Sequence, residues 1–141
     1  MAKISTTETT KEDLLGYALG YQETMHALLE KIEGAFGPAV ALLGSHAIEL
    51  ALKSFLVGQG YEDVRKIGHD IEKAWKLAHD SGLDIPEEPP FTLKLLALHH
   101  GSPYLYRYPQ KGIAAGHPTP EDLSKTVSCV IGKVSSHLLK Q

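Results

Sequence analysis

The sequence predicts an all-α protein: a single-domain, up-and-down bundle of four to five helices over residues 1–141. Apolar residues recur at three- and four-residue steps along most of the chain, which is the spacing of one helix face. Residues that start and stop helices separate these stretches. No segment alternates apolar and polar residues as a half-buried strand does. A chain of 141 residues with 43% hydrophobic residues is also large enough to bury a core without cross-links.

The first two helices are marked by the residues at their ends. Thr10 followed by Asp13 forms a variant of the capping box, so the first helix is predicted to begin there. Its apolar stripe continues to the glycines within residues 34–37, which end it. Pro38 suits the first turn of the second helix, and Gly58 closes that helix.

Three shorter helices follow. The third is predicted from about residue 69 to residue 81, and the fourth from Phe91 to about His100. Residues 101–117 form a loop rich in proline and tyrosine. Thr119 and Pro120 then start the last helix, as its cap and its first residue. The leucines of the fourth helix that are predicted to face inward are Leu93, Leu95, Leu96 and Leu98.

The cysteine content and the lengths of the apolar segments indicate the cellular compartment in which the protein is found. Cys129 is the only cysteine, so no internal disulfide can form, and a reducing, cytoplasmic location is expected. It lies on the apolar side of the last helix and is predicted to be a small core residue. The N-terminus shows no apolar signal region. Lys53 interrupts the most apolar run, so no membrane-spanning segment and no membrane partner are expected.

The charge balance excludes a protein dedicated to coating nucleic acid, because the net charge is −3. The charges are unevenly distributed, however. Residues 1–100 hold 9 Lys and Arg against 15 Asp and Glu, whereas residues 101–141 hold 5 against 2. This asymmetry is compatible with a positive patch near the C-terminal segment, but the scatter expected of small numbers of charges is the favoured explanation.

The predicted second helix is apolar on nearly every side and yet carries His46, Glu49 and Lys53. Such a helix is expected at the centre of a bundle, where ionisable groups are costly unless paired. Glu49 precedes Lys53 by four residues, the favourable orientation for a helical ion pair, and His46 lies one turn earlier. Either these groups satisfy one another, or they line an interior groove that a ligand enters. The spacing His-x-x-Glu supplies only half of a metal site, so no metal and no cofactor are expected.

Two further polar elements are candidates for a ligand-binding site. Asp70 is expected to cap the third helix, whereas its neighbour His69 either caps the same turn or points into the groove. Arg107 stands among tyrosines that include Tyr108, and Lys111 follows closely. A guanidinium pairs with phosphate oxygens while aromatic rings stack on bases. Alternatively, the arginine stacks on the tyrosines and attaches the loop to the bundle.

In their order and spacing these elements resemble the HEPN family, small helical domains that are often encoded beside minimal nucleotidyltransferases. The resemblance covers the chain from about Leu14 to Leu139. It depends on three motifs, which are Ile48-Glu49-Leu50-Ala51-Leu52-Lys53, His69-Asp70-Ile71-Glu72 and Arg107-Tyr108-Pro109.

Membership of that family implies a bundle of four or five helices that usually forms a homodimer, with a groove between the protomers. Many members are metal-independent endoribonucleases that use an arginine followed four to six residues later by a histidine. Here Arg107 and His117 have nine residues between them, and Lys111 and His117 have five. A lysine neutralises a phosphate without the bidentate fork of an arginine.

Three functional hypotheses follow. The first is a non-catalytic, dimeric HEPN-like module that binds a nucleotide, an RNA segment or a protein partner in an interhelical groove. Its predicted site residues are His46, Glu49, Lys53, His69, Asp70, Arg107 and Tyr108. The second is a toxin-type ribonuclease, paired with an antitoxin-like or nucleotidyltransferase partner, whose catalytic candidates are His117, Lys111 and Arg107. The third is a structural dimer whose polar core sets only the register of packing.

Overall fold

The computed structural model describes residues 9–31, 37–112 and 116–139. Within these ranges the chain forms five α-helices, one short 3₁₀ helix and no strand, so the all-α prediction is confirmed. The elements in chain order are α1 Lys11–Lys31, α2 Gly37–Gly58, the 3₁₀ helix Val64–Ile67, α3 Ile71–Asp80, α4 Phe91–His100 and α5 Pro120–Leu139. The predicted end of α1, within residues 34–37, lies largely outside the described residues.

The predicted caps of the first and last helices are confirmed. Thr10 Oγ1 accepts a hydrogen bond from the backbone N–H of Asp13 at 3.1 Å, and the Asp13 carboxylate accepts one from the backbone N–H of Thr10 at 3.3 Å. This is a reciprocal capping box. At the start of α5, Thr119 Oγ1 accepts from the backbone N–H of Asp122 at 3.2 Å. Each cap satisfies amide groups that a helix N-terminus leaves unpaired.

The third helix starts two residues later than predicted. Asp70 Oδ1 accepts a hydrogen bond from the backbone N–H of Lys73 at 3.0 Å, so Asp70 is the N-cap and α3 begins at Ile71. His69 therefore lies outside the helix, in the turn that leads to it.

We expect Asp70→Ala to lower the free energy of unfolding by about 1 kcal/mol, because the variant loses the side-chain cap of α3. Asp70→Asn is the matched control, since the amide oxygen of asparagine caps equally well, and its stability should stay close to that of the wild type. Urea denaturation of the three proteins measures the difference. A loss in Asp70→Asn as large as in Asp70→Ala would contradict the capping role.

α2 is the central helix of the bundle. It packs against α1, α3, α4 and α5, and 14 of its 22 residues are buried. A single hydrophobic cluster includes residues from all five helices, for example Leu14, Ile48, Ile71, Leu93 and Val127. Burial on nearly every side explains why this helix is apolar all round and why its charged residues need internal partners.

By length and composition, α2 alone among the described helices is long and apolar enough to cross a membrane. Contrary to the expectation from the sequence, Lys53 therefore does not shorten the apolar run below membrane-spanning length, because two charged residues are too few to offset the apolar residues around them. The expected absence of a membrane-spanning segment stays a prediction. However, 72% of the most apolar 18-residue window of α2 is buried inside the bundle, as in the core helix of a globular protein. Length and composition are thus weak evidence for a membrane location.

Two residues predicted to face the core lie on the surface instead. Cys129 is exposed on α5, and Leu98 is exposed on α4. Each follows a buried residue, Val127 or Leu96, by two positions. Two positions along a helix correspond to about 200° of rotation, which turns the side chain away from the buried face.

Candidate functional site

Glu49 is the centre of a buried polar cluster. Its side chain is 3% exposed and accepts three hydrogen bonds from side chains. Oε1 accepts from His69 Nδ1 and from His100 Nε2, each at 2.8 Å. Oε2 accepts from Lys53 Nζ at 3.1 Å, the ion pair that the four-residue spacing predicts. We refer to Glu49, Lys53, His69 and His100 as the Glu49 cluster.

The three residues between the 3₁₀ helix and α3 serve three different purposes. Gly68 adopts φ 62° and ψ −136°, a left-handed conformation that favours glycine, and its carbonyl accepts a hydrogen bond from Lys53 Nζ at 2.7 Å. His69 donates to Glu49, so its side chain points into the cluster. Asp70 caps α3, and its carboxylate is engaged at the helix N-terminus. Of the two alternatives for His69, the structure excludes capping, because the ring bonds Glu49 of α2 instead of the start of α3.

His100 is a member of the cluster that sequence reasoning missed. It lies at the end of α4, and its side chain is 0% exposed. The available signal was the His99-His100 pair at the end of a leucine-rich helix, since a buried imidazole needs a polar partner. No local spacing connects His100 with Glu49, because 51 residues separate them along the chain.

The hydrogen bonds to Glu49 assign the protons on both rings. An ionised carboxylate only accepts hydrogen bonds, so His69 carries a proton on Nδ1 and His100 carries one on Nε2. His69 is 33% exposed, and its Nε2 remains available to a further partner. His100 Nδ1 is buried, and within the described ranges it has no hydrogen-bond partner.

Opposing effects set the pKa of Glu49. Burial raises this pKa, whereas hydrogen bonds from His100 and His69 and the charge of Lys53 lower it. The lowering effects prevail and bring the pKa of Glu49 from its usual value of 4.5 to about 2. Glu49 is therefore ionised throughout the neutral pH range.

We expect this lowered pKa to make folding acid-sensitive. Because the pKa of Glu49 is lower in the folded than in the unfolded chain, its contribution to stability is complete above pH 4.5 and is lost as the pH falls towards 2. The difference corresponds to roughly 3 kcal/mol. Urea denaturation of wild type and Glu49→Gln across this range, with a metal chelator present, measures it. Stability should fall less steeply with decreasing pH in Glu49→Gln, and equal slopes would contradict the lowered pKa.

Arg107 lies on the same side of the molecule as the Glu49 cluster. Its guanidinium carbon is 5.9 Å from the centroid of the Tyr104 ring, and that ring lies edge-to-face with the His69 ring at 5.8 Å. Arg107 is exposed, whereas Glu49 beneath this surface is buried. We refer to Tyr104, Arg107 and the exposed edge of His69 as the Arg107 rim.

Local anchoring of the loop after α4 positions the Arg107 rim. The Tyr106 ring stacks on His99 at 5.4 Å, and its hydroxyl donates to the carbonyl of Gly116 at 2.7 Å. Burial raises the pKa of Tyr106, so the hydroxyl keeps its proton and remains a donor. Tyr104 adopts φ 61°, which is uncommon outside glycine, and the backbone N–H of Arg107 donates to its carbonyl at 2.9 Å. Such a conformation persists only where surrounding contacts hold it, as they do here.

His46 borders the Glu49 cluster from α2. Its ring lies edge-to-face with Tyr21 at 4.6 Å and is 6.1 Å from the ring of His100. Burial is the main cause that lowers the pKa of His46; the charge of Arg107 also lowers it, whereas Glu49 raises it. The imidazole is therefore mainly neutral at pH 7. Its Nδ1 is buried and has no hydrogen-bond partner in the part of the chain that the structure describes.

The composition of this region also suits a metal ion. His46, Glu49 and His100 each offer a donor atom, and these atoms lie within 4.8 Å of one another. Imidazole nitrogen and carboxylate oxygen are common ligands of zinc. The third ligand comes from α4, which is why the spacing along α2 predicted no complete site.

The remaining residues predicted for ligand binding or catalysis are Tyr108, Lys111 and His117. Tyr108 and Lys111 are exposed on the loop, and the backbone N–H of Tyr108 donates to the carbonyl of Tyr104 at 2.9 Å. His117 lies beside Gly37 at the start of α2, where an added Cβ would come within 2.2 Å of His117 Nε2. Gly37 and Glu49 are about 18 Å apart along the axis of α2. The structure thus brings His46, Glu49, Lys53, His69 and Arg107 together, but not His117.

No protein-family model matches the chain, and no curated protein or solved structure is significantly similar to it. A functional assignment therefore depends on the chemistry of the residues described above. The resemblance to the HEPN family stays a prediction.

Proposed function

We propose that this protein is a non-catalytic, dimeric, HEPN-like module that binds the phosphate group of a nucleotide or an RNA segment at the Arg107 rim. One observation carries the proposal. An exposed guanidinium lies against a tyrosine ring, and that ring contacts the histidine held by the buried Glu49. A cation, an aromatic ring and an imidazole thus share one surface above the cluster.

The charges of the region favour an anion. Lys53 pairs with Glu49, so the buried carboxylate is neutralised from within. Arg107 then contributes a positive charge to the surface, and its planar fork suits two phosphate oxygens at once. His69 Nε2 adds a polar atom at the edge of the same surface.

The aromatic component favours a nucleotide or RNA over a protein partner. A tyrosine face next to a guanidinium offers a stacking surface for a base together with a partner for its phosphate. The contact between Arg107 and Tyr104 also restrains the guanidinium before a ligand arrives, which lowers the entropic cost of binding.

Calorimetric titration of the full chain with nucleoside triphosphates and short single-stranded RNAs, at a stated salt concentration, tests the proposal. We expect binding that weakens at least tenfold in Arg107→Ala, because hydrogen bonds to charged groups contribute about 1.5–3 kcal/mol. Arg65→Ala is the matched control, since Arg65 is also an exposed arginine but lies on the 3₁₀ helix beside Asp63. Absence of binding to every ligand, or equal losses in the two variants, would overturn the proposal.

A specific observation favours a second candidate function, metal-independent RNA cleavage. His69 donates its Nδ1 proton to the buried Glu49 carboxylate, which orients the ring and leaves Nε2 free to accept a proton. Arg107 and His69 both contact the Tyr104 ring, and in this scheme the guanidinium stabilises the charge that develops on the phosphate. In this scheme His69, and not His117, removes the proton from a ribose 2′-hydroxyl as that oxygen attacks the adjacent phosphorus. The P–O5′ bond breaks, the departing 5′-oxygen takes a proton from water, and the products are a 2′,3′-cyclic phosphate and a 5′-hydroxyl.

Incubation of RNA with the protein in excess chelator distinguishes cleavage from simple binding. Cleavage that is lost in His69→Asn but retained in His117→Asn would favour this second function. If the wild type binds RNA and leaves it intact, the cleavage function is contradicted and the non-catalytic binding function is supported.

A further inference from the structure

We propose that His46, Glu49 and His100 form a binding site for one divalent transition-metal ion, of which Zn²⁺ is the natural probe. This site lies beneath the Arg107 rim, uses different atoms, and does not depend on phosphate binding there. The donor atoms come from two elements, since α2 supplies His46 and Glu49 one turn apart and α4 supplies His100. Their mutual separation of at most 4.8 Å is small enough for side-chain rotation to bring them around one ion.

Unsatisfied nitrogen atoms are the first argument for an ion. His46 Nδ1 and His100 Nδ1 are both buried, and neither has a hydrogen-bond partner among the described residues. In the neutral His100 ring the proton is on Nε2, which donates to Glu49, so Nδ1 is a buried acceptor without a donor. Buried polar atoms in native proteins are seldom left unsatisfied. A metal ion would accept the lone pair of His46 Nδ1.

The short distance between His100 and Glu49 is the second argument. His100 Nε2 and Glu49 Oε1 are 2.8 Å apart, so an ion bound by both atoms would replace the proton that they share. His100 would then carry its ring proton on Nδ1. Lys53 bonds the other carboxylate oxygen, Oε2, so Glu49 would contact the ion through Oε1.

The donor set selects the kind of ion. Two imidazoles and one carboxylate suit Zn²⁺, Co²⁺, Ni²⁺ or Cu²⁺. Mg²⁺ and Ca²⁺ prefer oxygen ligands, and the site offers only the oxygens of Glu49. Three protein ligands also leave one coordination position for water or another small ligand.

Metal titration of the tag-free full chain, after dialysis against a chelator, tests the proposal. We expect one Zn²⁺ per chain, measured by competition with a chromogenic chelator, and no binding of Mg²⁺. His46→Asn should weaken Zn²⁺ binding at least a hundredfold, because it removes one of three ligands. His26→Asn is the matched control, since His26 bonds Ser124 on α5 and should leave the affinity unchanged.

A measurement on the wild type keeps the test independent of variant folding. Zn²⁺ should shift the ring resonances of His46 and His100 in histidine side-chain NMR spectra, and those of His79 should stay in place, because His79 bonds the carbonyl of Ile85. Absence of Zn²⁺ and Co²⁺ binding by the folded wild type would overturn the proposal. Binding with unchanged affinity in His46→Asn, or shifts confined to other histidines, would do the same. None of these results would contradict the separate proposal that a nucleotide or RNA binds at the Arg107 rim.

Discussion

Replacing Glu49 with alanine is expected to lower the free energy of unfolding by about 3–5 kcal/mol. The variant keeps the buried Lys53 ammonium and removes its carboxylate partner. It also removes the acceptor of hydrogen bonds from His69 and His100. The carbonyl of Gly68 still accepts from Lys53, but a carbonyl does not neutralise the charge. Urea denaturation near pH 7 measures the loss.

The double variant Glu49→Leu with Lys53→Met is the matched control. Replacing both members of a buried ion pair with apolar residues of similar volume is often close to neutral, so the double variant should be more stable than Glu49→Ala. A free energy of unfolding for Glu49→Ala within about 1 kcal/mol of the wild-type value would show that the Glu49 carboxylate is not needed to stabilise the Glu49 cluster.

Phe55→Ala is expected to lower the free energy of unfolding by a similar amount, about 3–5 kcal/mol, because it removes a large apolar side chain from the core. Phe55 is 0% exposed on α2, and its ring lies edge-to-face with His137 of α5 at 4.9 Å. Truncation leaves a cavity between the central helix and α5, which the surrounding helices fill only in part.

Phe91→Ala provides the comparison for this second variant. Phe91 begins α4 and is 78% exposed, so the same change of side chain should alter the free energy of unfolding by less than about 0.5 kcal/mol. Thermal or urea denaturation of both variants gives the two values. Equal losses in Phe55→Ala and Phe91→Ala would contradict the packing around α2.

Local chemistry was enough to predict the five α-helices and the residues that cap three of them. Three residues cap helices by accepting a hydrogen bond from the backbone N–H three positions later: Thr10, Asp70 and Thr119. Both partners of each bond therefore lie in one short stretch of sequence, where the capping pattern can be recognised. The Glu49–Lys53 pair is equally local, because residues four apart on a helix lie side by side. The central position of α2 followed from its apolar residues on nearly every side.

The errors in burial have a similar physical origin. Periodicity shows that a helix has an apolar stripe, but the width of the buried face depends on which helices pack against it. Leu98 and Cys129 lie just beyond the faces that the neighbouring helices cover. An apolar side chain outside the covered face stays on the surface, whatever its hydrophobicity.

The sequence by itself determined the all-α class, most helix boundaries and the presence of charged residues in a central helix. Tertiary structure alone decided that His100 joins Glu49 across 51 residues, that Arg107 lies on the same side through Tyr104, and that His117 lies elsewhere. The reason is physical. Caps and i,i+4 pairs depend on backbone geometry within one helix turn, whereas these contacts depend on how α4 and the following loop pack against α2.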